Sequence, residues 1–185
     1  MNQAKHMKRI IISTYKSAAG ELTIGSSGDL LCICDWTTGE RRSRINRQPE
    51  RRLEARYEEG TSPVIERAIA QLNEYFNGTR REFDIPLELT GTEFQCRVRR
   101  ELLNIPYGET ISYAELARRV GNPKAVRAVA SANATNPISI FIPCHRVIGS
   151  DNRLTGYSGG LPVKKYLLDL EESYKSLSKF IRCRF

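Results

Sequence analysis

Between residues 8 and 36 apolar and polar positions alternate in short runs cut by turn residues. Residues 9–15 are rich in β-branched side chains, Ala18-Ala19-Gly20 is a turn, and residues 22–24 resume the alternation. Ser26-Ser27-Gly28-Asp29 marks a second turn before the apolar run at 30–36. A period of two interrupted by such turns predicts an antiparallel meander. Within its last strand Cys32 and Cys34 stand two apart, which places them on one face of a regular strand. The period changes at residue 62. Ser62 suits a helix cap and Pro63 a first turn, and Asn77-Gly78 suits a helix end. Val64, Ile65, Ala68, Ile69, Leu72, Tyr75 and Phe76 then form one apolar face, predicting a helix over 62–77 that covers the meander. Residues 37–60 are polar, with seven arginines from Arg41 to Arg56 interleaved with glutamate. They read as a solvated loop leading into a charged helix, or alternatively as a basic arm.

The linker 80–91, which contains Pro86, predicts a boundary between domains at 1–90 and 91–185. Thr92 and Gln95 fit a capping box ahead of Phe94, Val98 and Leu102 on one helical face. Pro106-Tyr107-Gly108 breaks the chain, and Ser112 with Glu115 opens a short helix through Val120. Gly121-Asn122-Pro123 is a tight turn, after which residues 124–134 predict a second helix. Two short helices joined by a glycine-containing turn are a helix-turn-helix signal, although a plain helical hairpin in a core gives the same pattern more often. Here Ala125, Ala128, Ala130, Ala132 and Ala134 surround one large polar residue, Arg127. Small side chains let a backbone approach a groove, and one long cation can reach in. The apolar run 138–142 reads as a buried extended segment that Pro143 ends. A glycine-rich loop at 155–160 follows, then a helix over 163–172, and a basic stretch at 175–185 that is either a short docked helix or a frayed tail. The expected class is α/β (α+β) in two domains: an antiparallel sheet with a covering helix, then a mostly helical domain with a helix-turn-helix.

Composition narrows the chemistry. Forty per cent hydrophobic and 27% charged residues describe an ordinary globular chain of 185 residues, and no apolar run approaches membrane-spanning length. The run at 10–12 is too short for a signal sequence, so a cytoplasmic location is expected. Five cysteines without paired spacing fit a reducing compartment, and Cys32 and Cys34 with only His6 nearby favour core packing over a metal site. The net charge of +8 is uneven: residues 1–90 balance to +1 and residues 91–185 to +7. That asymmetry points to a polyanion, nucleic acid first, at the second half. The same half holds Cys144-His145-Arg146, where a thiol sits beside two groups able to carry positive charge, an arrangement that favours thiolate. A buried structural cysteine is the plain alternative. A cysteine hydrolase would not need the helix-turn-helix, and a DNA-binding regulator would leave Cys144 incidental.

The blocks Ile142-Pro143-Cys144-His145-Arg146-Val147, with Asn136-Pro137 before it, Gly121 to Val129, and Tyr157-Ser158-Gly159-Gly160 together resemble the O6-alkylguanine-DNA alkyltransferases. The likeness runs from about Gly91 to Glu171. It implies direct-reversal repair: an alkylated guanine is flipped from double-stranded DNA and its O6-alkyl group moves irreversibly to Cys144, once per protein. No cofactor and no metal are implied, and a monomer is expected. By resemblance His145 assists the thiol through a water, Glu171 orients the imidazole, Asn136 bonds within the turn, and Tyr113 donates to the departing guanine. Arg127 would fill the space of the extruded base, with Ala125, Ala128 and Ser131 on the DNA-binding helix. Val147, Tyr157, Ser158, Gly159 and Lys164 would line the base-binding loop. Asn133 stands where some relatives carry a bulky apolar residue, which leaves the detail of the DNA contacts open.

Overall fold

The computed structural model describes residues 8–37 and 55–182. Strands β1 (Lys8–Ser17), β2 (Gly20–Ser27) and β3 (Leu30–Trp36) form the expected antiparallel meander. The sheet has a fourth strand, β4 (Ala55–Glu59), which lies parallel to β1, so its order is β3-β2-β1-β4 and it is mixed. Residues 55–59 are therefore strand, not part of a charged helix; the rest of that reading, at 38–54, and His6 lie outside the described residues. Local pattern hid β4 because Ala-Arg-Tyr-Glu-Glu is mostly polar and gains its order from pairing with the distant β1. A second correction concerns Cys32 and Cys34. A bulge opposite Gly25 and Ser26 inserts an extra residue into β3, and two residues then oppose one. Cys34 joins the main core, while Cys32 packs with Ile10, Ile33 and Ala55 on the other side.

Helix α1 (Pro63–Phe76) lies against β1, β2 and β3. The Ser62 side chain accepts from the Ile65 N–H, and Val64, Ile65, Ala68, Leu72 and Tyr75 are buried. The core is continuous from this layer into the second half: Trp36, Leu72, Val98, Leu116, Ile142 and Leu167 belong to one cluster. In that half α2 (Glu93–Leu103) starts at a reciprocal Thr92–Gln95 capping box. The strand pair β5 (Ile111–Ser112) and β6 (Val147–Ile148) frames α3 (Tyr113–Arg119) and α4 (Val126–Ala134). Helix α4 begins two residues later than the alanine pattern suggests, because the Ala125 N–H donates to Asn122 O in the turn after Gly121, whose φ is +79°. Helix α5 spans Leu161–Arg182, so the helix expected to end at 172 continues through most of the basic stretch.

The run 138–142 is not a strand. Ile138 makes an isolated bridge to Cys34, and Ser139 bridges Ile142 across a tight turn in which Ile140 has φ +72°. A β-branched residue is strained there and persists only where its surroundings fix it. The fixing contacts are Ser139 N–H to Cys34 O, Cys34 N–H to Pro137 O, and the Asn136 side chain, which donates to the Ile138 and Ile142 carbonyls. The turn is thus stitched to β3, so the first half of the chain holds the approach to Cys144. Because Leu72 is wholly buried between α1 and this shared core, Leu72→Ala should cost about 2–5 kcal/mol. Urea unfolding with an unchanged m-value checks that outcome.

Candidate active site

Pro143 ends the turn and Cys144–Arg146 forms a single 3-10 turn, which points successive side chains in different directions. Cys144 is 2% exposed. Its carbonyl accepts from Asn133 Nδ2 at 3.3 Å. Asn133 is therefore on the buried side of α4 and supports the turn that carries Cys144; it does not face outward with the helix's exposed residues.

Everything around His145 and Arg146 converges on Glu171, two turns along α5 from Lys164. Glu171 Oε1 lies 2.8 Å from His145 Nε2 and accepts from Tyr75 Oη at 2.8 Å and from an Arg146 terminal nitrogen at 3.0 Å. Its Oε2 accepts from Arg146 Nε and from the Gly108 N–H, both at 2.9 Å. The remaining Arg146 terminal nitrogen donates to Ile105 O at 2.6 Å. Burial favours neutral Glu171, but the hydrogen bond from His145 together with the charge and hydrogen bonds of Arg146 outweighs it and holds the carboxyl below its usual range. Burial lowers the His145 pKa from 6.5, with Glu171 opposing, so the imidazole is neutral at pH 7. Its Nε2–H then donates to Glu171, which leaves Nδ1 as the basic nitrogen. That atom is buried without a hydrogen-bond partner among the described residues.

The thiol is not the pre-formed thiolate that its sequence neighbours suggest. Burial pushes Cys144 up to about 11 and the Asp35 carboxylate adds to the rise, while an Asn136 hydrogen bond and Lys164 oppose it. Arg146 is committed to Glu171 and Ile105, so the cation that acts on the sulfur is Lys164. Lys164 is itself buried, its Nζ donating to the carbonyls of Val147 at 2.5 Å and Thr155 at 2.7 Å, and desolvation lowers it to about 8. The Val147 carbonyl is thus already engaged. Tyr113 opens α3 with its ring 5.9 Å from Lys164 Nζ, and burial raises its hydroxyl pKa.

Cys144, His145, Glu171, Asn136, Tyr113, Lys164 and Val147 therefore sit together. Tyr157, Ser158 and Gly159 form one wall, with the Tyr157 ring 6.4 Å from His145. The residues of α4 stand apart on its outer side: Arg127, Ala128 and Ser131 are exposed and Ala125 is half-buried at the helix cap. Sequence reasoning missed Asp35, Trp36 and Tyr75, which the first half contributes. A carboxylate and the chain's single tryptophan closing an apolar strand were the available signal for two of them; Tyr75 looked like one more core aromatic.

Fold and site define a class: a protein with a buried cysteine backed by a His–Glu pair, carried beside a helix-turn-helix. Residues 10–89 match the family model described as 6-O-methylguanine DNA methyltransferase, ribonuclease-like domain, and residues 93–173 the DNA binding domain of the same name. The chain belongs to the 6-O-methylguanine DNA methyltransferase family. A methylated-DNA–protein-cysteine methyltransferase of Mycobacterium tuberculosis is 58% identical over 106 residues, a stretch covering 57% of this chain and 64% of that protein. The crystal structure of Mycobacterium tuberculosis O6-methylguanine methyltransferase superposes with TM-score 0.75 at 44% identity, over 89% of this chain and 94% of that one. A structure of Mycobacterium tuberculosis OGT in complex with DNA gives TM-score 0.75 at 42% identity, over 90% and 94% of the two chains.

The buried network makes the fold acid-sensitive in a defined direction. Glu171 has its folded pKa depressed, so its contribution is present above about pH 4.5 and fades as pH falls. His145 is depressed below 6.5, so its neutral form also stabilises at higher pH and is lost on acidification. Glu171→Gln leaves Arg146 buried without its anion and should cost about 3–5 kcal/mol at pH 7. Its stability should also fall less steeply below about pH 4.5 than that of the parent protein, because the carboxylate lost on acidification is absent, as read from thermal melts across pH.

Proposed function

We propose that this protein repairs DNA by moving the alkyl group of O6-alkylguanine onto Cys144. The observation that carries the reading is a buried thiol followed directly in the chain by an imidazole whose Nε2–H is held on Glu171 and whose Nδ1 is left basic. Family membership and the DNA complex of the mycobacterial relative support the choice of substrate. The Cys144 proton passes to His145 Nδ1 through a water, the sulfur attacks the alkyl carbon, and the carbon–O6 bond breaks. Tyr113 gives its hydroxyl proton to the guanine as negative charge leaves through it, and the proton taken by His145 replaces it by way of water, so that the base is left as neutral guanine. A thioether is the product, so one protein accepts one group. Burial pushes the thiol up to about 11, so it is mostly protonated in the free protein, which slows the reaction of Cys144 with other alkylating agents before a base enters.

On this reading residues 91–185 carry the reaction and residues 1–90 wall it in. Helix α4 enters a groove with Ala128 and Ser131 against the backbone and Arg127 in the place of the flipped base. The glycine-rich loop, Lys164 and the backbone near Val147 and Ser158 hold the guanine edge. The protein acts as a cytoplasmic monomer on duplex DNA; no helix among the described residues is long and apolar enough to cross a membrane. Incubation with an oligonucleotide carrying labelled O6-methylguanine should add one methyl to the intact mass, mapped to Cys144, and Cys144→Ser should take up none while still binding DNA. Label on Cys96 or Cys183 instead would reassign the acceptor.

Arg127 supplies a second test. Flipping a base costs on the order of a few kcal/mol, least where it is mispaired, and a side chain entering the stack offsets that cost only in a duplex. Arg127→Ala should slow transfer at saturating DNA more for a paired lesion than for a mismatched one, and leave reaction with a free O6-alkylguanine base unchanged. A phosphate-contacting arginine would instead show equal rates at saturation and a smaller salt dependence of binding.

A further inference from the structure

Two adjacent residues at the end of β3 grip three adjacent residues of the glycine-rich loop. Ser158 Oγ donates to Asp35 Oδ1 at 3.2 Å, and Trp36 Nε1 donates to Tyr157 Oη at 3.1 Å. The indole lies so close to Gly159 that a Cβ there would stand 2.8 Å from Trp36 Cδ1, so this position needs glycine for the approach itself. The same Asp35 oxygen accepts from Ser139 Oγ at 3.1 Å, in the strained turn that leads to Cys144. One carboxylate oxygen thus joins the segment before the thiol to the loop across from it.

Asp35 is wholly buried between Cys34 and Trp36, both of which pack in the main core. A carboxylate in such a place is costly unless hydrogen-bonded, and an apolar side chain would fill the strand at less expense. Nor does it activate the nucleophile, because its charge raises the Cys144 pKa. What remains is geometry. We propose that Asp35, assisted by Trp36, is a positioning residue for alkyl transfer: it latches the loop Tyr157–Gly159 to the turn that carries Cys144, so that the N-terminal sheet sets the spacing of the base-binding cleft. The proposal rests on the alkyl-transfer reading above and adds to it a role for the N-terminal half of the chain.

The test compares Asp35→Ala with Asp35→Asn in the full chain. The asparagine keeps an oxygen that accepts from both serines; the alanine does not. Single-turnover methyl transfer from duplex DNA at saturation should be about tenfold or more slower in D35A, as expected when a reacting geometry loosens. Its DNA affinity should stay within about threefold, because the exposed face of α4 is untouched. D35N should recover to within about threefold of the parent, and the reaction of Cys144 with iodoacetamide should be no slower in D35A, since a nearby negative charge has been removed. Parent-like transfer by D35A, a D35N as slow as D35A, or an equal loss in the iodoacetamide reaction would each overturn the latch. If D35A does not fold, Trp36→Phe keeps an aromatic ring on the strand but removes the N–H donor and the five-membered ring that lies against Gly159. It should slow saturated transfer severalfold, and a parent-like rate would count against the proposal. Should the parent protein itself take up no label, the alkyl-transfer reading fails, and hydrogen exchange at 157–160 then judges the latch alone. Faster exchange in D35A supports it and unchanged exchange overturns it.

Discussion

The Glu171 carboxylate is the constraint on which the rest of the molecule depends. It accepts from Tyr75 on α1, Gly108 in the break after α2, and His145 and Arg146 in the turn after Cys144, while itself riding on α5. Three separate stretches of chain are therefore registered against one buried anion carried on a fourth. A lone buried carboxylate is strongly disfavoured, and only a full set of donors makes it tolerable. The interaction stabilises the fold only when all its members are in place, which is what a geometry-dependent reaction needs from its scaffold. The same pairing removes Arg146 from any direct part in ionising the thiol and fixes which nitrogen of His145 is basic.

A consequence is that the site separates orientation from activation. Burial lifts the thiol well above its ordinary pKa and lowers the histidine, so proton transfer between them is uphill in the free protein. Lys164, lowered to about 8 and lodged among carbonyls, offers a cation whose effect on the sulfur is favourable. The site is poised rather than reactive, and selectivity comes from what enters it.

Much of this was legible in the chain because it is local. Turn residues marked the three-strand meander, Ser62 and Thr92 marked helix starts, and the run Pro143 to Val147 marked the candidate acceptor. What sequence did not show is created by distant pairing. Polar β4 becomes a strand only beside β1, and a bulge sends Cys32 and Cys34 to opposite sides. The β-branched run 138–142 has every propensity of a strand, yet its contacts with Cys34 and Asn136 fold it into a turn. Positive charge beside Cys144 was equally misleading: Arg146 is adjacent in sequence but spoken for, whereas Lys164 is twenty residues away and acts.

Helix α5 has a further implication for how such a chain can vary. It carries Lys164 and Glu171 seven residues apart, close to two full turns, so both project toward the site from one face at an axial spacing of roughly 10 Å. A single inserted or deleted residue between them would rotate one relative to the other by about 100° and take either the cation or the carboxylate out of the core. This stretch can therefore tolerate substitution at its outward positions but not a change in length. A homologue with a gap between these two positions would have to rebuild both halves of the site, and length, more than residue identity, is the quantity under the tighter restraint.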